Sequence, residues 1–139
     1  MGIKQEKRGT GRTHNMIMEA LEVGAMTNQS SAIVVMRDSR CIEHALGAIV
    51  PRCFGPHHHY WRMRKHDALV MVGEKVVLQF KRMNQIWSEF GNNKHDPLSW
   101  RVPGHEIFLD HLIIEEFYGP ILQAWARYDN PHHKVNFHE

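Results

Sequence analysis

Cysteine is scarce: Cys41 and Cys53 alone in 139 residues are too few to staple a small secreted scaffold, and they form no Cys-x-x-Cys pair. No apolar run reaches bilayer-spanning length, and no apolar stretch follows the basic N-terminus as it would in a signal peptide. Gly-rich phosphate loops of the P-loop or dinucleotide kind are missing, and no serine sits in a nucleophile-elbow setting. Internal repeats are absent as well. These absences argue against a disulfide-built module, a membrane partner and a Ser/His/Asp hydrolase. The expectation is a soluble protein of a reducing, cytoplasmic compartment.

What is present supports one domain, since 42% hydrophobic residues over this length can bury one sizeable core. Charge is unevenly placed. Residues 1–13 carry Lys4, Lys7, Arg8 and Arg12 against Glu6; from Arg52 to Arg82 seven basic residues oppose only Asp67 and Glu74. Glu106 to Glu116 holds four acids and no Lys or Arg. Such a layout predicts one face that attracts polyanions and another that repels them, or else two solvated surfaces.

Taken in order, residues 1–12 lack hydrophobic periodicity and read as a flexible basic tail ahead of a globular domain over 13–130, with a second tail over 131–139. Thr13 is placed to cap a short helix through Met16, Ile17, Ala20, Leu21 and Val23, which Gly24 weakens at its end. Ala32 to Ile49 recurs at helical spacing, although Ile33-Val34-Val35 can equally begin as a strand. Pro51 favours an edge strand or extended connection, and Tyr60 to Arg64 a short strand or loop. His66 to Arg82 holds two β-branched runs around Gly73 and Glu74, the pattern of a β-hairpin. Arg82 to Phe90 suits a short helix. After His105 the pattern favours two antiparallel strands around Tyr118-Gly119-Pro120, with a helix over His105–Phe117 as the alternative. The expected architecture is α+β: N-terminal helices packed on a mostly antiparallel sheet, with the 67–82 hairpin at its centre.

The hairpin also carries the one grouping that suggests a reaction. Asp67 enters its first strand, and Gln79-Phe80-Lys81 lies near the end of its second. This arrangement resembles the core of PD-(D/E)xK nucleases, in which an acid on one strand and an acid-x-Lys on the next hold a divalent ion. The resemblance runs from about Glu43 to Lys81 and implies a Mg²⁺-dependent phosphodiesterase or nuclease. In that version Asp67 and Glu43 hold the metal, with Glu19 the other candidate helical acid. Gln79 completes or positions the coordination, and Lys81 assists attack by water. Gln79 stands where an acid is usual, so the site is degenerate and its metal affinity should be reduced. A two-residue turn at Gly73-Glu74 makes cross-strand partners sum to 147, which sets Asp67 opposite Phe80; one extra residue or a bulge pairs it with Lys81 instead.

Pro51-Arg52-Cys53-Phe54-Gly55, followed by Arg62, Arg64, Asp67 and Leu78-Gln79-Phe80-Lys81, is also similar to a group of small phage-type proteins without an established activity. That likeness implies an alternative: a non-enzymatic interaction protein binding a host protein or nucleic acid through its charged faces. Arg52, Arg62, Arg64 and Arg82, interleaved with Phe54, Tyr60 and Trp61, suit a nucleic-acid groove in either case, or else the aromatics belong to the core. Zn²⁺ ranks behind Mg²⁺. The adjacent His57, His58 and His59 point in different directions, and His105, Glu106, Asp110 and His111 match no zinc spacing. The sequence carries no signal for oligomeric state.

Overall fold

Five consecutive apolar residues, Ala32 to Met36, are buried on both sides and form a fully buried strand, β1. A computed structural model describes residues 2–26, 30–55, 61–64 and 66–128, without the side chains of 2–10 and 122–128. Helix α1 spans Gly2–Met26, and β1 follows it. A continuous helical run then comprises α2 (Ser39–His44), a π-helical turn (Ala45–Ile49) and α3 (Val50–Phe54). Strands β2 (Trp61–Arg64), β3 (Leu69–Val72) and β4 (Lys75–Arg82) lead into α4 (Met83–Phe90). A 3₁₀ turn (Pro97–Ser99), β5 (Ile107–Leu109) and α5 (His111–Tyr128) complete the chain.

The strands form one sheet in the order β2-β3-β4-β1-β5. β2, β3 and β4 are an antiparallel meander, whereas β1 runs parallel to both β4 and β5. The fold is therefore α+β with a mixed sheet, and β4 of the hairpin occupies its middle. Alternation along β1 separates two cores. Ala32, Val34 and Met36 join Ile17, Leu21, Ile42, Leu46, Ile49 and Phe80 beneath α1 and the α2–α3 run. Ile33 and Val35 join Ile86, Trp100, Val102 and Ile113 beneath α4 and α5. No helix among the described residues is long and apolar enough to cross a membrane.

Several local expectations give way to packing. The leader at 2–12 is the first part of α1, and Thr13 is buried inside that helix rather than capping it. Pro51 is the second residue of α3, inside the continuous helical run, where its ring supplies no N–H and crowds the preceding turn. Just before it the ladder widens, with the Val50 N–H bonding the Ala45 carbonyl, which relieves the backbone the proline ring would press on. The favoured strand pair after His105 is instead β5 and α5, with Pro120 inside the helix. Burial of Ile113 and the edge-on packing of Phe117 against Trp100, with centroids 6.3 Å apart, hold that helix despite the hydrogen bond Pro120 removes. The tail expected at 131–139 lies outside the described residues.

Candidate functional site

The hairpin combines both geometries its sequence allows. Around Gly73 and Glu74, Val72 pairs with Lys75 and Met71 with Val76, as a two-residue turn requires. Beyond a bulge, Val70 pairs with Leu78 and Leu69 with Gln79, leaving Val77 as the extra residue. Consecutive Val77 and Leu78 are both buried in the same core, as the interrupted alternation demands. The Phe80 N–H donates to the Ala68 carbonyl at 2.9 Å, carrying the shifted register one step further. Its next step would set Asp67 against Lys81.

Asp67 leaves the strand before reaching that position. Its N–H closes a turn onto the Arg64 carbonyl at 3.1 Å, and its carboxylate accepts from the Arg64 guanidinium at 2.7 Å. Ala68 has φ +53°, the only positive φ on a non-glycine among the described residues. A left-handed alanine costs about 1 kcal/mol, so tertiary contacts hold this corner where the local chain would not.

The corner opens onto a cavity of about 660 Å³ between α2 and the ends of β3 and β4. Its floor is apolar, with Ile42, Leu46 and Phe80, and its walls carry Glu43, His66, Asp67, Lys81 and Arg82. α2 begins at Asp38, whose carboxylate accepts the Cys41 N–H at 3.0 Å; that bond holds the Asp38 carboxyl below its ordinary value. From that start, Ser39 and Glu43 fall one turn apart on the cavity side, while Ile42 and Leu46 turn inward.

Glu43 and Asp67 thus share one cavity, but the other two residues of the expected reaction center do not present their functional groups there. Gln79 pairs with Ile33 and Leu69, and its amide donates to the Ser31 hydroxyl at 2.6 Å. Lys81 pairs with Val35, whose side chain lies in the α4–α5 core. Lys81 is among the residues lining the cavity, while its ammonium lies 4.0 Å from Glu89 and 6.0 Å from the center of the Phe90 ring, both on α4. Glu19, the alternative acid, is exposed on α1 and does not line the cavity.

Of the basic residues, Arg82 is half-buried at the cavity wall and begins α4, its N–H bonded to the Gln85 side chain at 2.8 Å. Arg62 and Arg64 project from the same face of the sheet-edge strand β2, and Arg52 is exposed on α3. Trp61 and Met63 turn the other way into the core, where Phe54 stacks on Trp61 with centroids 4.5 Å apart. These rings are partly buried against the core; Tyr60 lies outside the described residues.

Two carboxylates fit Mg²⁺, which keeps several waters and takes one or two protein carboxylates together with substrate phosphate. Among the described residues no group of three or more His, Cys, Asp or Glu is arranged to hold a metal, so a zinc set is not formed there. His105 Nδ1 lies 2.8 Å from the Ser31 carbonyl, and His111 meets Asp110, while His57, His58 and His59 fall outside the described residues. Both cysteine thiols are free, and burial pushes each above its ordinary value.

A second polar cluster has no signal in the sequence. Asp110, 1% exposed, accepts from the Thr13 hydroxyl at 3.1 Å and lies 3.2 Å from His111 Nδ1. Beside it Arg12 pairs with Glu115 at 3.2 Å. These contacts join α1 to the start of α5 across nearly the whole chain, and no local pattern encodes them. Ser39 and His66 at the cavity are likewise visible only in three dimensions. No family model, curated protein or solved structure matches this chain.

Proposed function

We propose a nucleic-acid-interacting protein with a degenerate, nuclease-like divalent-cation site. Glu43 and Asp67 hold the cation, with Mg²⁺ the expected ion, and Arg52, Arg62, Arg64 and Arg82 engage the phosphate backbone. The supporting observation is the convergence of two carboxylates from separate segments on one open cavity whose wall also carries Arg82. A bound divalent ion would supply charge neutralisation of a phosphate and a more acidic water. The chain's own groups would orient the ion through the two carboxylates and fix the backbone through guanidinium contacts.

The engagement of Gln79 by Ser31 and of the Lys81 ammonium near Glu89 favours a second reading, in which the site binds without cleaving. Phosphodiester cleavage assisted by Lys81 requires that ammonium to swing away from Glu89 towards the cavity. The test is calorimetric titration with Mg²⁺ and Mn²⁺, run beside cleavage assays on single- and double-stranded DNA and RNA. Glu43→Gln and Asp67→Asn should each weaken metal binding at least about tenfold, as losing one of two charged ligands implies. Cleavage that falls in Lys81→Ala supports the enzyme. Metal-dependent binding without cleavage supports the binder. Metal affinity unchanged in both carboxylate variants overturns the site.

A further inference from the structure

Arg64 makes two different contacts with Asp67, and only one of them depends on its side chain. The backbone contact, Asp67 N–H to Arg64 carbonyl, fixes where the Asp67 corner sits. The side-chain contact, guanidinium to the Asp67 Oδ2 at 2.7 Å, sets a positive charge on the carboxylate that the proposed cation needs. Both side chains are open to solvent, Arg64 at 60% and Asp67 at 40%, so the pair can part without unfolding anything. Arg64 also stands on the sheet-edge strand two residues from Arg62 and on the same face, so a polyanion lying along β2 meets both.

We propose that Arg64 is a phosphate-responsive gate on Asp67, through which the polyanion and the divalent cation bind cooperatively; this rests on the Glu43–Asp67 reading above. With no polyanion present, Arg64 pairs with Asp67 and competes with the cation for its carboxylate. A phosphate bound to the Arg64 guanidinium draws it from Asp67 and frees the carboxylate. Linkage makes the effect reciprocal: the cation, by displacing Arg64, raises affinity for the polyanion by the same factor. The pair is exposed, so its worth is that of a surface ion pair and the coupling is about two- to fivefold.

Arg62→Ala supplies the control, because it removes the same charge from the same strand without touching Asp67. The measurements are Mg²⁺ affinity of each free protein by calorimetry, and affinity for a short oligothymidylate with and without Mg²⁺ at constant ionic strength. Arg64→Ala should bind Mg²⁺ about two- to fivefold more tightly than Arg62→Ala. It should also lose the Mg²⁺-dependent gain in oligonucleotide affinity, which Arg62→Ala retains. Arg64→Lys, which keeps the charge on a different geometry, should fall between wild type and Arg64→Ala. Equal Mg²⁺ affinity in Arg64→Ala and Arg62→Ala, or a gain that survives Arg64→Ala, overturns the gate and leaves the Glu43–Asp67 site standing. Absence of Mg²⁺ binding in wild type and Arg64→Ala alike overturns both.

Discussion

Replacing Gly24 with alanine tests how the hairpin is held in register. Gly24 lies in the last turns of α1 directly over the bulge, and a Cβ built there would stand 1.8 Å from the Val77 carbonyl oxygen and 2.8 Å from its carbon. Restoring even a tight 3.0 Å contact to that oxygen requires a displacement of no less than 1.2 Å, taken between two backbones. α1 cannot yield so far without drawing Leu21 and Ala20 out of the core they share with Val77 and Leu78. Overpacking of this kind costs about 1–3 kcal/mol and sometimes more, whereas the substitution recovers about 0.8–1 kcal/mol of helix propensity. Because the obstacle is backbone, the clash should fall at the upper end, leaving a net loss of about 2 kcal/mol. Urea unfolding followed by tryptophan fluorescence should show a lower midpoint at unchanged slope, and the melting temperature should fall by about 8 °C. Gly24→Ser should be no better. An alanine variant that matches or exceeds wild type would mean that α1 does not rest on the bulge, and the register argument for Asp67 would lose its support.

The buried Asp110 cluster predicts non-additive energetics: Thr13→Val and Asp110→Asn should each cost about 1–3 kcal/mol, and the double variant less than their sum, as a double-mutant cycle by urea unfolding would show. Additive losses would mean the two groups do not share a bond. Asp38 gives a pH dependence of definite sign. Its carboxyl titrates below the ordinary value because it accepts the Cys41 N–H, so its contribution is complete above the unfolded value near 3.9 and is lost as pH falls through the lower folded value. Asp38→Ala should therefore cost about 1 kcal/mol at pH 7, with the gap to wild type closing only below about pH 4. A gap that stays constant to pH 2 would assign the loss to something other than the cap.

How much of this was legible beforehand depends on the kind of signal each segment carries. The Gly73-Glu74 turn, β2 and α4 follow from local chemistry: turn residues, β-branched runs and a short apolar period. β1 resists such reading because a strand buried on both faces shows an unbroken apolar run, which helix and strand share. β5 is only three residues long, and its strand identity comes from pairing with β1, so Ile107 to Leu109 gives no period to count. Pro120 and Pro51 carry the local signal of a breaker, yet packing around Phe117 and the widened turn before Val50 accommodate them.

For the candidate site, the groups themselves are written in the chain: Glu43 on a helical stretch, Asp67 before a hairpin, and a basic series from Arg52 to Arg82. Which of these meet depends on long-range packing. The bulge at Val77 depends on Gly24 offering no side chain from another element, and the corner at Ala68 on packing that offsets a left-handed alanine. Side-chain direction in a sheet reverses with every residue, so a single inserted position and one unusual φ bring Asp67 to the cavity that Glu43 also lines. The same alternation sent Gln79 to Ser31 and the Lys81 ammonium towards Glu89. A one-dimensional pattern names the groups, but the face each one occupies is fixed by contacts between segments far apart in the chain.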